Sequence, residues 1–347
     1  PRADGFVMPP EWHPHEAIWL SWPVDNPTHW TQASDSIHHK FAEIAATITR
    51  FEPVRINASA SEHEAIREIL NRARADLTVV ELFDHEHDDV WCRDHGPIFL
   101  QHRESKAVAI SDWGFNGWGE KFTPFDKDNT IPQQISDSLG LPRYEAKMIL
   151  EGGSIEVNGR GELLTTEAVL LNSNRNPKLT REEIETRLRD YLGIDQIYWL
   201  NEGIAGDDTD GHIDDLARFV SDNTIVAASE SQADATNHAV LTANLERLRS
   251  FQNVHARPFD VVELPQPEAC EIPGWRLPTL PASYVNFLIL NDGLLVPSFR
   301  QPKNDERALG ILGELFPDRQ LRTIDCLDLV QEGGALHCIS QQQPDIS

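Results

Sequence analysis

Positive charge is scarce in this chain. Its 347 residues hold 30 lysines and arginines against 56 aspartates and glutamates, a formal net charge of −26. Nucleic-acid binding needs a basic face to meet phosphates, which this composition makes hard to assemble. Cysteines are few as well. Cys92, Cys270, Cys326 and Cys338 lie far apart with no CxxC pair, so neither a disulfide framework nor a cysteine zinc site is suggested and free thiols are expected. No apolar run has the length of a membrane span, and the opening "PRADGFVMPPEWHPHE" lacks the apolar core of a secretory signal. With no Walker pattern and no GxGxxG fingerprint, no nucleotide cofactor is inferred. What these absences leave is a globular protein of cytoplasmic location. Its acidity suits a small cationic substrate, although an acidic surface kept for solubility is the plainer account.

What is present is a recurring strand pair. "GPIFLQHRESKAVAIS" from Gly96, "SIEVNGRGELLTTEAVLL" from Ser154, "LARFVSDNTIVAAS" from Leu216 and "SYVNFLILNDGLLVPSF" from Ser283 each set Asn, Asp, Gly or other polar turn residues between apolar runs. A helical pattern follows each pair, and a short apolar strand follows each helix. Thr180 and Glu183 have the spacing of a capping box at one of these helices. A fifth copy fits the N-terminal stretch from "AIWLSWP" to "LTVVELF". The period is on the order of 60 residues, long for a solenoid, and suits a compact unit of about four elements repeated about an axis. A five-unit ββαβ array is therefore expected.

The junctions before the hairpins then become the places to look for a site. They carry "WCRDHGP" with Asp94, "LEGGS" with Glu151, "DDTDGHIDD" with His212 and Asp214, "SYVNF" with Asn286, and "EGGALHC" with Cys338. Five equivalent junctions about one axis would converge. A lone cysteine such as Cys338 is commonly a small buried hydrophobe; a glycine-rich approach and a distant histidine make it a candidate nucleophile. If the stretch is extended, its neighbour His337 points to the opposite face and is structural. His212 and Asp214, two residues apart, would share one face of a strand, as an acid/base imidazole and a carboxylate for a cation.

Trp91 and Asp94 read as an aromatic wall and a carboxylate for an alkyl guanidinium, with Trp118 and Trp113 extending the wall. The run from His85 to His95 has metal-ligand residue types but no HExxH pattern, and His85 and His87 read as an acidic solvated loop. No metal is expected.

These motifs, in this order and over essentially the whole chain, resemble the agmatine deiminase branch of the guanidine-modifying pentein superfamily, related to bacterial-type peptidylarginine deiminase. The opening "MPPEWHPHEAIWLSWP" is similar to that family's N-terminus. The resemblance implies one domain over 1–347, a pentein-type α/β propeller of five pseudo-symmetric ββαβ units around a central active site, with neither metal nor organic cofactor. It implies Cys338 as nucleophile, His212 as acid/base, Asp94 and Asp214 as carboxylates on the guanidinium, and Glu151 as a further carboxylate that helps place His212. Trp91, Asp208, Trp118 and Asn286 are its implied substrate-binding residues. Oligomerisation of identical chains is a family-level expectation only.

The chain departs from the family pattern at Cys92, His95, Asp208, Asp210 and Glu332, where methionine, threonine, glutamate, asparagine and glycine are usual. The implied activity is hydrolysis of agmatine to N-carbamoylputrescine and ammonia. Peptidylarginine or free arginine deimination is the alternative with the same chemistry, though Asp207, Asp208 and Asp210 suit an amine tail better than a carboxylate. A metal-dependent hydrolase and a non-catalytic polyamine binder are the rivals of other classes; both leave the Cys338 and His212 motifs without a role.

Overall fold

In the computed structural model, residues 1–24, 34–272 and 279–346 are described. The chain is mixed α/β. Strands β1 (Phe6–Val7) and β2 (His15–Ser21) open it, followed by a helix over Ser34–Ile48, β3 (Val54–Ala58), a helix over His63–Arg72 and β4 (Val80–Asp84). Next come β5 (Ile98–His102), β6 (Val108–Gly114), the helix Ile131–Leu139 and β7 (Arg143–Ile149). The third group is β8 (Glu156–Val157), β9 (Glu162–Thr166), the helix Arg181–Leu192 and β10 (Gln196–Leu200). The fourth is β11 (Ala217–Phe219), β12 (Thr224–Ser229), the helix His238–Ser250 and β13 (Asp260–Pro265). The last is β14 (Leu288–Ile289), β15 (Gly293–Ser298), the helix Pro302–Leu315 and β16 (Gln320–Asp325), after which β17 (Ser340–Pro344) ends the described chain.

Strand pairing turns this order into five sheets among the described residues: β1-β5-β6-β7, β8-β9-β10, β11-β12-β13, β14-β15-β16 and β17-β2-β3-β4. The four hairpins expected from sequence all form as antiparallel pairs, β5 with β6, β8 with β9, β11 with β12 and β14 with β15. In each of those sheets the third strand returns parallel across a helix. A parallel neighbour needs such a crossover, which is why hairpin, helix and strand recur together. The fifth sheet draws its antiparallel pair from opposite ends of the chain, with Gln341 of β17 opposite Trp19 of β2. Trp19 Nε1 donates to Gln343 Oε1 at 2.9 Å across that closure.

Local chemistry explains the best-defined crossover. Thr180 caps its helix by accepting from the Glu183 N–H, Glu183 reaches back to the Thr180 N–H, and Gly193 ends the helix at φ 73°. Ile184, Leu188 and Leu192 form its buried face, each contributing about 1.5–3 kcal/mol relative to exposure. No described helix is long and apolar enough to cross a membrane.

The hairpin order also places the junctions. A turn of helix over Cys92–His95 precedes β5, a 3-10 turn over Gly152–Ser154 precedes β8, and another over Ile213–Asp215 precedes β11. Ser283–Phe287 precedes β14, and a turn through Cys338 precedes β17. Asp214 thus sits in a 3-10 turn and His212 immediately before it, not on the strand expected from their spacing. Likewise the chain at His337 is a turn, not extended.

Candidate active site

Three of the five junctions meet around Gly153, and the contacts of Cys338 with Asp214 and Asn286 bring in the other two. A Cβ on Gly153 would lie 2.6 Å from His212 Nδ1, 2.9 Å from Asp94 Oδ1 and 3.1 Å from Asp214 Oδ2. Only a glycine lets the backbone pass so close beneath three functional groups. Its N–H donates to Asp94 Oδ1 at 3.0 Å, and Trp118 Nε1 donates to Asp94 Oδ2 at 2.9 Å, so both oxygens of that carboxyl are aimed. Burial raises the Asp94 carboxyl to about 6; His212 opposes the shift and the Asp214 and Glu151 carboxylates add to it.

Cys338 is almost fully buried at 7% exposure. Asn286 Nδ2 donates to its Sγ at 3.1 Å, and Asp214 Oδ2 lies 3.7 Å from the sulfur. Asn286 Oδ1 accepts from the His337 N–H at 2.9 Å, fastening the turn that carries the thiol. Gly334 makes room, since a Cβ there would fall 3.0 Å from Sγ and 2.6 Å from the Trp91 ring. Burial pushes the thiol well up, and the charges of Asp214, Asp215 and Asp94 push it further. Neighbouring Asp215 is itself raised by burial, Asp214 and Asp207. A cation entering between these carboxylates would reverse the electrostatic part of the thiol's shift.

His212 responds in the other direction. Burial disfavours its imidazolium, but Asp94, Asp214, Glu151 and Asp207 together outweigh that and raise it above the ordinary value. Neither ring nitrogen has a hydrogen-bond partner, and Nδ1 is 3.7 Å from Asp94 Oδ1. Asp214 Oδ1 and Glu151 Oε2 are also buried without partners. Four unpartnered polar atoms in one buried place leave hydrogen bonds for a ligand to make.

A cleft lined by Trp91, Asp94, Trp118, Phe122, Asp208 and Cys338 leads to this centre, with Glu332 also on its wall. Of the three acids expected near an amine tail, only Asp208 lines it. Asp207 is turned inward, taking the His212 N–H on Oδ2 at 3.0 Å. Asp210 pairs with Arg175 Nη1 at 2.7 Å and with Lys121 Nζ at 2.6 Å. Trp113 does not extend the wall; it packs in a separate core edge-on to Tyr191.

The reading of His85 and His87 as a solvated loop is corrected. Both are buried: His85 Nδ1 is 2.9 Å from Asn57 Oδ1 and its Nε2 2.7 Å from Ser138 Oγ, while His87 Nε2 reaches the Trp22 carbonyl at 2.6 Å. Burial drops the His85 imidazolium to about 4. These rings hold the 85–90 segment in place. All four cysteines are free and buried.

Sequence reasoning passed over the charges behind the site. Arg175 Nε meets Glu151 Oε1 at 2.5 Å, with both side chains fully buried, and its other nitrogens hold Asp210, Asn174 and the Thr209 carbonyl. One guanidinium thus ties Glu151 to the loop bearing Asp208 and His212. Glu11, Arg93, Glu156 and Arg218 form a second buried group beside His337. "SNRNP" and "LARF" give no local sign of these roles. The available signal was only that a buried arginine requires a carboxylate.

Known proteins are similar to this chain over nearly its whole length. The family model described as Porphyromonas-type peptidyl-arginine deiminase matches residues 7–344. The agmatine deiminase of Ectopseudomonas mendocina (strain ymp) is 38% identical over 364 residues, covering 99% of this chain and 97% of that protein. The solved agmatine deiminase of Enterococcus faecalis superposes with a TM-score of 0.93 at 30% identity, covering 100% of this chain and 98% of that one. A Cys-to-Ser variant of C. jejuni agmatine deiminase, solved with substrate bound, gives 0.88 at 31% identity over 98% and 96% of the two chains.

Proposed function

The chain belongs to the Porphyromonas-type peptidyl-arginine deiminase family, and from that premise we propose that it hydrolyses agmatine to N-carbamoylputrescine and ammonia through a covalent amidino-cysteine. The observation that carries this reading is the convergence of Cys338, Asp94, Asp214 and an unpartnered His212 at the end of an acidic, aromatic-walled cleft. None of the described residues lining that cleft is a lysine or arginine. The carboxylate of free arginine would meet no counter-charge there, whereas the ammonium of agmatine would meet Asp208.

A guanidinium carbon is a poor electrophile because its charge is spread over three nitrogens, so catalysis depends on holding it rigidly. Asp94 and Asp214 grip the nitrogens by charge-assisted hydrogen bonds and align the carbon with Cys338 Sγ. Substrate charge stabilises the thiolate, whose proton leaves to water. The thiolate adds to carbon, and the His212 imidazolium protonates one nitrogen, which departs as ammonia to leave a cationic amidino-thioether. The now neutral His212 takes one proton from water as that water attacks, and collapse expels Cys338 sulfur, which takes the remaining hydroxyl proton, so that the thiol is restored and the neutral ureido product leaves. Glu151 supports the charge of His212, Asn286 donates to the sulfur, and Trp91 and Trp118 flank the alkyl chain. We read the five sheets as five pseudo-symmetric ββαβ units about the site, and 1–347 as one guanidine-modifying domain.

The test is release of ammonia and ureido product from agmatine, free arginine and a blocked arginyl peptide in parallel, with and without a chelator. Turnover of agmatine alone, indifferent to chelation, is expected. Preference for arginine or the peptide would replace the substrate and keep the chemistry.

A further inference from the structure

The His337 ring is 1% exposed and lies between two carboxyl groups. Its Nδ1 is 2.7 Å from Asp214 Oδ2 and its Nε2 is 2.8 Å from Glu11 Oε2. Two hydrogen bonds between three such groups require two protons among them. Glu11 has no use for one of its own: the Arg218 guanidinium donates to Oε2, the Ile289 N–H donates to Oε1 at 2.9 Å, and Arg93 Nη2 stands 3.9 Å away. Arg218, His337 and Arg93 hold the Glu11 carboxyl well below its usual range against the cost of burial. Glu11 is therefore an acceptor, and Nε2 must donate to it.

On the other side, Asp214 Oδ2 faces Cys338 Sγ as well as Nδ1, and Asp214 is held low against burial by its bond to His337. It too is an acceptor, so Nδ1 donates. Burial and the Arg218 and Arg93 charges lower the His337 imidazolium while Glu11 and Asp214 oppose them; the two short contacts to acceptor oxygens decide for a proton on each nitrogen. Glu11, Glu156 and His337 also lie close enough together to suggest a metal site. The Arg218 guanidinium already pairs with both acids and fills that role.

Resting on the deiminase reading above, we propose that His337 is a positioning residue for the reaction, a ring protonated on both nitrogens that clamps Asp214 Oδ2. The clamp has two consequences. It leaves Oδ1, the buried oxygen with no protein partner, as the face offered to the guanidinium. It also offsets Asp214 charge that opposes thiolate formation at Cys338. Glu11 and Arg218 complete the chain, so that a residue near the N-terminus, 326 positions from His337, fixes the orientation of a carboxylate in the centre.

The substitutions His337→Asn and His337→Gln separate the two ring nitrogens. An asparagine amide can replace the Nδ1 donor to Asp214, while a glutamine amide reaches toward Glu11 and leaves Asp214 Oδ2 unheld. The expected result is kcat/KM for agmatine within about 10-fold of wild type for His337→Asn and a loss of about 100-fold or more for His337→Gln, since a misplaced reacting partner costs on that order. Equal kcat/KM in the two folded variants would overturn the proposal, because a merely structural side chain would not distinguish them.

Wild-type protein carries the second arm, should His337→Gln fail to fold. With histidine 15N label in the full chain, the His337 ring, assigned by its loss in His337→Asn, should show protons on both nitrogens at pH 7; one bare nitrogen would sink the clamp. That spectrum does not depend on which guanidine is the substrate, so failure here and failure of the agmatine assignment show separately.

Discussion

Trp118 Nε1 donates a 2.9 Å hydrogen bond to Oδ2 of Asp94, a bond that favours the charged form of a carboxyl otherwise raised by burial to about 6. Catalysis requires that carboxyl ionised, so kcat/KM should rise with pH through about 6. It requires His212 protonated when ammonia leaves, so activity should fall again as pH climbs past the raised His212 value. Trp118→Phe removes the bond and should move the acid limb to higher pH, with kcat/KM lowered by about 10- to 100-fold for a lost bond to a charged group worth about 1.5–3 kcal/mol. A pH–rate profile of kcat/KM for both proteins checks this; an unmoved acid limb would mean that it does not report Asp94.

Gly153→Ala should be among the most damaging small substitutions in the chain. Its methyl would stand 2.6 Å from His212 Nδ1 and 2.9 Å from Asp94 Oδ1, and something must shift. A shift near 1 Å at reacting groups costs about 100-fold or more in kcat/KM. Gly310, in the Pro302–Leu315 helix, has nothing within 4 Å of its Cβ position and serves as the control. Gly310→Ala should leave kcat/KM unchanged and raise stability by roughly 0.5–1 kcal/mol, read by denaturant unfolding.

Arg175 should matter to stability and substrate capture together. Arg175→Met strands the fully buried Glu151 carboxylate, which typically costs about 3–5 kcal/mol, visible as a large fall in Tm. Asp210→Asn is milder because Asp210 is partly exposed. It loosens the ties to Arg175 and Lys121, and should cost about 1 kcal/mol or less while raising KM for agmatine. An unchanged KM would show that this loop is held without the charge.

Much of this arrangement was legible where its determinants are local. Turn residues between apolar runs marked the four hairpins, and Thr180 with Glu183 marked a helix start, because those interactions span only a few positions. Asp94, Glu151, His212, Asp214, Asn286 and Cys338 could be singled out as candidates because the hairpin repeat pointed to the same junction in each unit. The closure of β17 on β2, the His337 contact with Glu11 and the Arg175 tie to Glu151 were not legible. Each joins residues 24 to 326 positions apart through side chains that no local pattern requires. His85 and His87 misled for a related reason: acidic neighbours suggested solvent, while Asn57, Ser138 and Trp22 supply the buried partners from elsewhere in the chain.

The central claim is that Cys338 forms a covalent bond to the guanidinium carbon. The most direct measurement is product formation from saturating agmatine by Cys338→Ala, whose fold a matching circular dichroism spectrum would verify. The account predicts no turnover above the buffer background. Turnover at even a few per cent of the wild-type rate would contradict it, because water attacking an unactivated guanidinium without the sulfur lacks the step on which the rest of the mechanism depends.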